Sequence, residues 1–96
     1  MVQKIRVSFF TTLREIIQKR EEDVELLGDL TMIELLKRLS KRHGNLFYDY
    51  IYDKQGNLRS NFQLLVNGRS IATLQGLHTK LKSGDEVTIV PPVGGG

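Results

Sequence analysis

Residues 31–44 constrain the fold more than any other stretch of the chain. Thr31-Met32-Ile33-Glu34 has the spacing of a capping box, in which the threonine hydroxyl accepts from a backbone N–H and the glutamate reaches back. Met32, Leu35, Leu36 and Leu39 then fall at i, i+3, i+4 and i+7, an apolar stripe along one helix face. Lys37, Arg38, Lys41 and Arg42 lie largely off that stripe. Basic residues in the last turn suit the negative end of the helix dipole, and Gly44 is placed to terminate the helix. Such a helix has to lay its apolar face on another layer, and the rest of the chain offers mainly short segments of β character.

The first of these covers residues 2–10, where Ile5, Val7 and Phe9 alternate with Lys4, Arg6, Ser8 and Phe10. Thr12-Leu13-Arg14-Glu15 reads as a further capping box, opening a short helix that ends near Lys19. Glu21-Glu22-Asp23 reads as a solvated turn, with Val24 and Leu26 on a returning strand that Gly28-Asp29 breaks. Residues 45–60 are the least regular. Leu46, Phe47, Tyr48, Tyr50, Ile51 and Tyr52 are expected to be at least partly buried there, in a helical turn or irregular packing, ahead of a turn at residues 53–57. Phe62, Leu64 and Val66 alternate with Gln63 and Leu65, and Asn67-Gly68 is a two-residue hairpin signal. The chain should return through Arg69-Ser70-Ile71. Leu74, Leu77 and Leu81 then lead to a turn at Ser83-Gly84-Asp85 and a last strand, Glu86-Val87-Thr88-Ile89-Val90. One main helix among strands predicts an α+β domain over residues 1–90, with a mixed sheet packed on the helix in the layout of a ubiquitin-like β-grasp.

The chain ends Pro91-Pro92-Val93-Gly94-Gly95-Gly96. Two prolines stop a sheet ladder because neither donates a backbone hydrogen bond. Six extended residues reach roughly 20 Å. Residues 91–96 therefore read as a flexible arm tipped by the Gly96 carboxylate, able to enter a narrow channel in another protein. A frayed end without function is the alternative.

Composition narrows the chemistry. Ninety-six residues suit one core, no apolar run approaches the ~20 residues of a membrane span, and the start does not resemble a signal peptide, so a cytoplasmic location is expected. The absence of cysteine excludes disulfides, thiolate metal sites and side-chain thiol catalysis. No phosphate-binding glycine loop is present. His43 and His78 stand far apart, and read as a helix-dipole partner and a loop residue, with no metal site predicted. The basic residues of the helix read as a solvated face, with RNA or an acidic partner as the alternative; Glu21, Glu22, Asp23 and Glu25 read as a solvated hairpin. A net charge of +3 demands no nucleic-acid partner.

Three stretches resemble the β-grasp sulfur-carrier family: Leu65-Val66-Asn67-Gly68-Arg69, residues 76–87 (Gly76-Leu77-His78-Thr79 through Gly84-Asp85-Glu86-Val87), and Pro91-Pro92-Val93-Gly94-Gly95-Gly96. The opening Val7-Ser8-Phe9-Phe10-Thr11-Thr12-Leu13-Arg14-Glu15 fits the same family. The small subunit of molybdopterin synthase is the closer match; the thiazole-pathway carriers are shorter relatives. Two departures stand out: Val90 where the family often has an aromatic residue, and Gly94 where it often has a small residue such as alanine. The resemblance implies that a ubiquitin-activating-enzyme-like adenylyltransferase, holding ATP and magnesium, makes the Gly96 acyl-adenylate. A sulfur donor protein or sulfide then leaves a thiocarboxylate. The large subunit of molybdopterin synthase takes that sulfur for the molybdenum or tungsten cofactor. This chain would bind no cofactor and contribute no catalytic side chain; Pro91, Pro92, Val93, Gly94 and Gly95 would thread the partner's active site. Phe10, Leu65 and Val90 fall on outward faces by alternation and form a candidate docking patch, unless residues 45–60 cover one of them. Carriers for thiamin or thiolated tRNA, a protein modifier forming isopeptide bonds, and an RNA- or protein-binding module remain as other readings.

Overall fold

The computed structural model describes residues 3–91. The strands β1 (Lys4–Phe9), β2 (Glu21–Glu25), β4 (Gln63–Val66), β5 (Arg69–Ser70) and β7 (Glu86–Val90) form one sheet in the order β2-β1-β7-β4-β5. β1 and β7 are parallel, with Val7 opposite Val87 and Phe9 opposite Ile89; the other pairs are antiparallel. A short antiparallel pair, β3 (Leu30–Thr31) with β6 (Lys80–Leu81), stands apart from it. Two residues are too few to show a period of two in sequence, and this pair was not expected. The helices are α1 (Thr12–Ile17), α2 (Met32–His43) and α3 (Asn45–Ile51), and single 3-10 turns occupy Ile71–Thr73 and Gly76–His78. The architecture is the ubiquitin-like β-grasp that the pattern predicted, a mixed sheet with its helices on one face.

The core lies between the sheet and α2. Met32, Leu35, Leu36 and Leu39 are at most 1% exposed and pack in one cluster with Ile5, Val7, Phe9, Val87 and Ile89. Each such side chain contributes about 1.5–3 kcal/mol relative to remaining in water. The predicted capping box is formed: the Glu34 N–H donates to Thr31 Oγ1 at 3.4 Å and the Thr31 N–H to Glu34 Oε1 at 2.9 Å. Hydrogen bonds from the Thr31 backbone N–H and hydroxyl hold the Glu34 carboxyl below its ordinary value.

Three local expectations are corrected. Thr12 does not cap α1; the cap position is Thr11, at φ 49°, and no side chain bonds the helix start. A capping hydroxyl needs extended backbone, which the sharp exit from β1 denies to Thr11. Glu21-Glu22-Asp23 is no solvated turn but the start of β2, and Glu22 lies opposite Val7 on the inner face, 7% exposed. In α3, Phe47 and Ile51 are buried one turn apart, which leaves Leu46 71% and Tyr48 39% exposed against expectation. A helix of that length can bury only one side.

The buried Glu22 is met by the end of α2. Its Oε2 lies 2.8 Å from Arg42 Nη1 and 3.0 Å from His43 Nε2, and its Oε1 3.5 Å from Lys19 Nζ. Burial alone raises this carboxyl, but the hydrogen bonds and charges of His43 and Arg42 together outweigh it, and the net shift is downward.

Two turns distant in sequence lock together at the start of β7. Asn67 and Gly68 sit at φ 52° and 83°, the left-handed pair of a tight hairpin. Asn67 Nδ2 donates to Asp85 Oδ1 at 2.9 Å, and Asn67 Oδ1 accepts the Glu86 N–H at 2.9 Å. Asp85 Oδ2 accepts the Lys82 N–H at 2.8 Å, while its carbonyl accepts the Arg6 N–H at 3.0 Å. The hairpin asparagine and the Gly84-Asp85 turn thereby set the register of the sheet centre.

Asn67→Ala removes two of these bonds and places a Cβ residue other than asparagine at positive φ. We expect a loss of about 1–3 kcal/mol in urea unfolding. A lowered folded-state pKa at Glu22 means a contribution present above the ordinary value of 4.5 and lost as pH falls through the folded value. Glu22→Gln should therefore lower stability at pH 7 by about 1–3 kcal/mol. It should also flatten the decline of Tm on acidification below that ordinary value, measured by circular dichroism from neutral pH downward.

Candidate functional site

The helices cover one face of the sheet and leave the other open. By strand alternation the open face carries Lys4, Arg6 and Ser8 of β1, Glu21, Asp23 and Glu25 of β2, Glu86, Thr88 and Val90 of β7, and Gln63 and Leu65 of β4. Its two ends differ in chemistry. At the start of β1, Lys4 Nζ lies 3.1 Å from Asp23, and Arg6 lies 3.5 Å from Asp23 and 3.6 Å from Glu21. A hydrogen bond from Lys4, and a weaker one from Arg6, hold the Asp23 carboxyl below its ordinary value. These are exposed pairs that add little to stability.

The other end is apolar. Leu65 lies opposite Thr88, so Val90, two residues on, is its diagonal neighbour on the same face, and both are partly exposed. Phe10 directly follows β1 and is 40% exposed. The Arg14 guanidinium stands over its ring, 5.6 Å from the centroid, with Arg14 Nε donating to the Phe9 carbonyl at 3.4 Å. Arg14 was not singled out in the sequence, where only its spacing of four from Phe10 hints at the contact. Phe10 is thus 40% exposed and Leu65 and Val90 are partly exposed, while Phe47 and Ile51 of α3 belong to the core.

β7 ends at Val90, paired with Gln63, and Pro91 after it is buried. Pro92, Val93, Gly94, Gly95 and Gly96 lie outside the described residues. The apolar end of the open face therefore sits at the root of the last five residues. Among the described residues no three His, Cys, Asp or Glu side chains gather to hold a metal ion. His43 is engaged with Glu22, beyond the dipole role read for it, and His78 is exposed at the end of a 3-10 turn.

Comparison with known proteins places this geometry. Residues 7–96 match the ThiS family. Small archaeal modifier protein 3 of Haloferax volcanii is 31% identical over 93 residues, covering 97% of this chain and 99% of the relative. A protein of Archaeoglobus fulgidus named "Putative sulfur carrier protein" is 40% identical over 75 residues, 77% of this chain and 84% of the relative. The crystal structure of SAMP1 from Haloferax volcanii superposes with a TM-score of 0.83 at 28% identity, covering 97% of this chain and 99% of that one. The chain belongs to the ThiS family and is a β-grasp protein of the kind that serves as sulfur carrier or ubiquitin-like small modifier.

Proposed function

We propose that this protein carries sulfur as a thiocarboxylate on Gly96, and that its destination is the pterin precursor of the molybdenum or tungsten cofactor, with this chain as the small subunit of molybdopterin synthase. The observation that supports it is the exposed apolar group Phe10, Leu65 and Val90 at the root of the glycine-ended tail. A partner that grips this group has the tail within reach of its own active site. A C-terminal carboxylate has a pKa of roughly 3.3–3.7 and is an anion near neutrality, so it resists nucleophiles until activated. An adenylyltransferase joins it to the α-phosphate of ATP and releases pyrophosphate. Sulfide then displaces AMP from the acyl carbon, and the thiocarboxylate results. The pterin destination rests on the sequence likeness of the hairpin, the Gly84-Asp85-Glu86 turn and the Pro-Pro-Val-Gly-Gly-Gly ending. A second reading, that Gly96 is joined to lysines of other proteins, is favoured by the full-length likeness to small archaeal modifier protein 3.

The untagged chain, incubated with ATP, an activating enzyme and sulfide, should become reactive to a thiol alkylator at Gly96 and nowhere else. The sequence holds no cysteine, so fragmentation mass spectrometry reads any label as new sulfur. Adenylate without label would overturn the sulfur-carrier reading in favour of the modifier. A labelled protein that gives no dithiolene with the synthase large subunit would overturn the pterin destination alone. Phe10→Ala should stay folded, since its ring is 40% exposed, and raise the KM of adenylation about tenfold or more, as loss of an interface anchor does.

A further inference from the structure

The basic face of α2 divides into two pairs with different fates. Arg38 Nη1 donates to the Glu25 carbonyl at 2.8 Å, and Arg42 Nη1 to the Asp23 carbonyl at 3.4 Å and to Glu22 at 2.8 Å. β2 is an edge strand whose inner neighbour is β1, and these two guanidinium groups occupy carbonyls on its otherwise unpaired side. Arg38 and Arg42 are therefore committed within the fold.

Lys37 and Lys41 are not. Neither forms an ion pair among the described residues, and both line an open groove between α2 and the α3 side of the molecule. Its apolar part is Ile33 with Tyr48 and Tyr52, whose ring centroids are 4.7 Å apart, and the cavity measures about 420 Å³. No carboxylate lines it. The acid nearest Lys37 in sequence, Glu34, feels the charge of Lys37 but is hydrogen-bonded by Thr31 in the capping box and makes no ion pair with it. Like charges at i, i+4 repel on a helix, so two lysines lining one groove with an aromatic pair favour an anionic occupant.

We propose that this groove is a docking site for an acidic, amphipathic segment of a partner protein, with carboxylates on Lys37 and Lys41 and an apolar side chain against Ile33, Tyr48 and Tyr52. Two features favour a peptide over nucleic acid. The tyrosines lie against one another at 31°, so each has one ring face covered by the other and closed to a stacking base. The arginines of this helix are turned to β2, and the two lysines left at the groove are a small footprint for a phosphate backbone, whose binding draws on many cationic contacts. The groove lies on the helix side of the molecule, while Phe10, Leu65 and Val90 lie on the open sheet face. A partner held here would leave that face open, and the inference does not depend on the chemistry of Gly96.

The test is a titration of the full chain, isotopically labelled, with a hexapeptide alternating glutamate and leucine, followed by amide chemical shifts. Saturable shifts are expected at Ile33, Lys37, Ser40, Lys41, Asn45, Tyr48, Tyr52 and Gly56, absent with a glutamine-for-glutamate control peptide. Lys37→Glu with Lys41→Glu should weaken binding at least tenfold, while Lys37→Arg with Lys41→Arg retains it; circular dichroism checks that both pairs fold. Raising salt from 50 mM to 500 mM should weaken it too, because these charges are exposed. No shift at the groove at millimolar peptide, shifts only around Phe10 and Leu65, or tighter binding of a single-stranded oligouridylate to the same residues would each overturn the proposal.

Discussion

Parallel pairing of β1 with β7 is the interaction on which the rest of the structure depends. It joins the two ends of the described chain at the centre of the sheet, Arg6 beside Glu86 through Phe9 beside Ile89. Everything between is crossover, and it has to arrive with β4 on the far side of β7 and β2 on the far side of β1. Loop-closure entropy grows only slowly with length, so bringing such distant segments together is affordable once a large apolar surface rewards it. That surface is the α2 stripe, laid over the inner residues of both central strands.

The same pairing places the candidate site. β7 is clamped at its beginning by Asn67 and Asp85, and its end carries Val90 and the buried Pro91. A strand fixed at one end and paired on both sides delivers its last residue to a defined point. Pro92, Val93 and three glycines follow that point in sequence. The described chain thus closes on a fixed strand with partly exposed apolar side chains beside its last residue.

Charge in this protein is distributed by the same logic. The inner-facing Glu22 would be expensive alone, and it is retained because Arg42 and His43 from the last turn of α2 reach it. The outer-facing acids of β2 instead meet Lys4 and Arg6 in solvent. Arg38 and Arg42 close the edge of β2, whereas Lys37 and Lys41 form no ion pair among the described residues. One basic helix face thus serves edge protection, a buried ion pair and an open groove.

Much of this was legible in the sequence. The capping box and stripe of α2, the alternation of β1 and β7, the Asn67-Gly68 turn and the outward placement of Leu65 and Val90 are local patterns. Backbone geometry translates such patterns directly into a face or a turn. Residues 21–23 were misread, and so was the burial of Leu46 and Tyr48 in α3, because their outcome depends on what lies across from them. Glu22 looks like a solvated acid until β2 is paired with β1 and α2 supplies its partners, and six apolar or aromatic residues between 46 and 52 cannot be divided into buried and exposed before the helix has a side to face. Likewise the sequence alone determined that no cysteine stands beside Pro91-Pro92-Val93-Gly94-Gly95-Gly96. Only the tertiary structure decided that Glu22 is buried against Arg42 and His43 and that the arginines of α2 turn to β2, because both facts are distances between segments far apart along the chain.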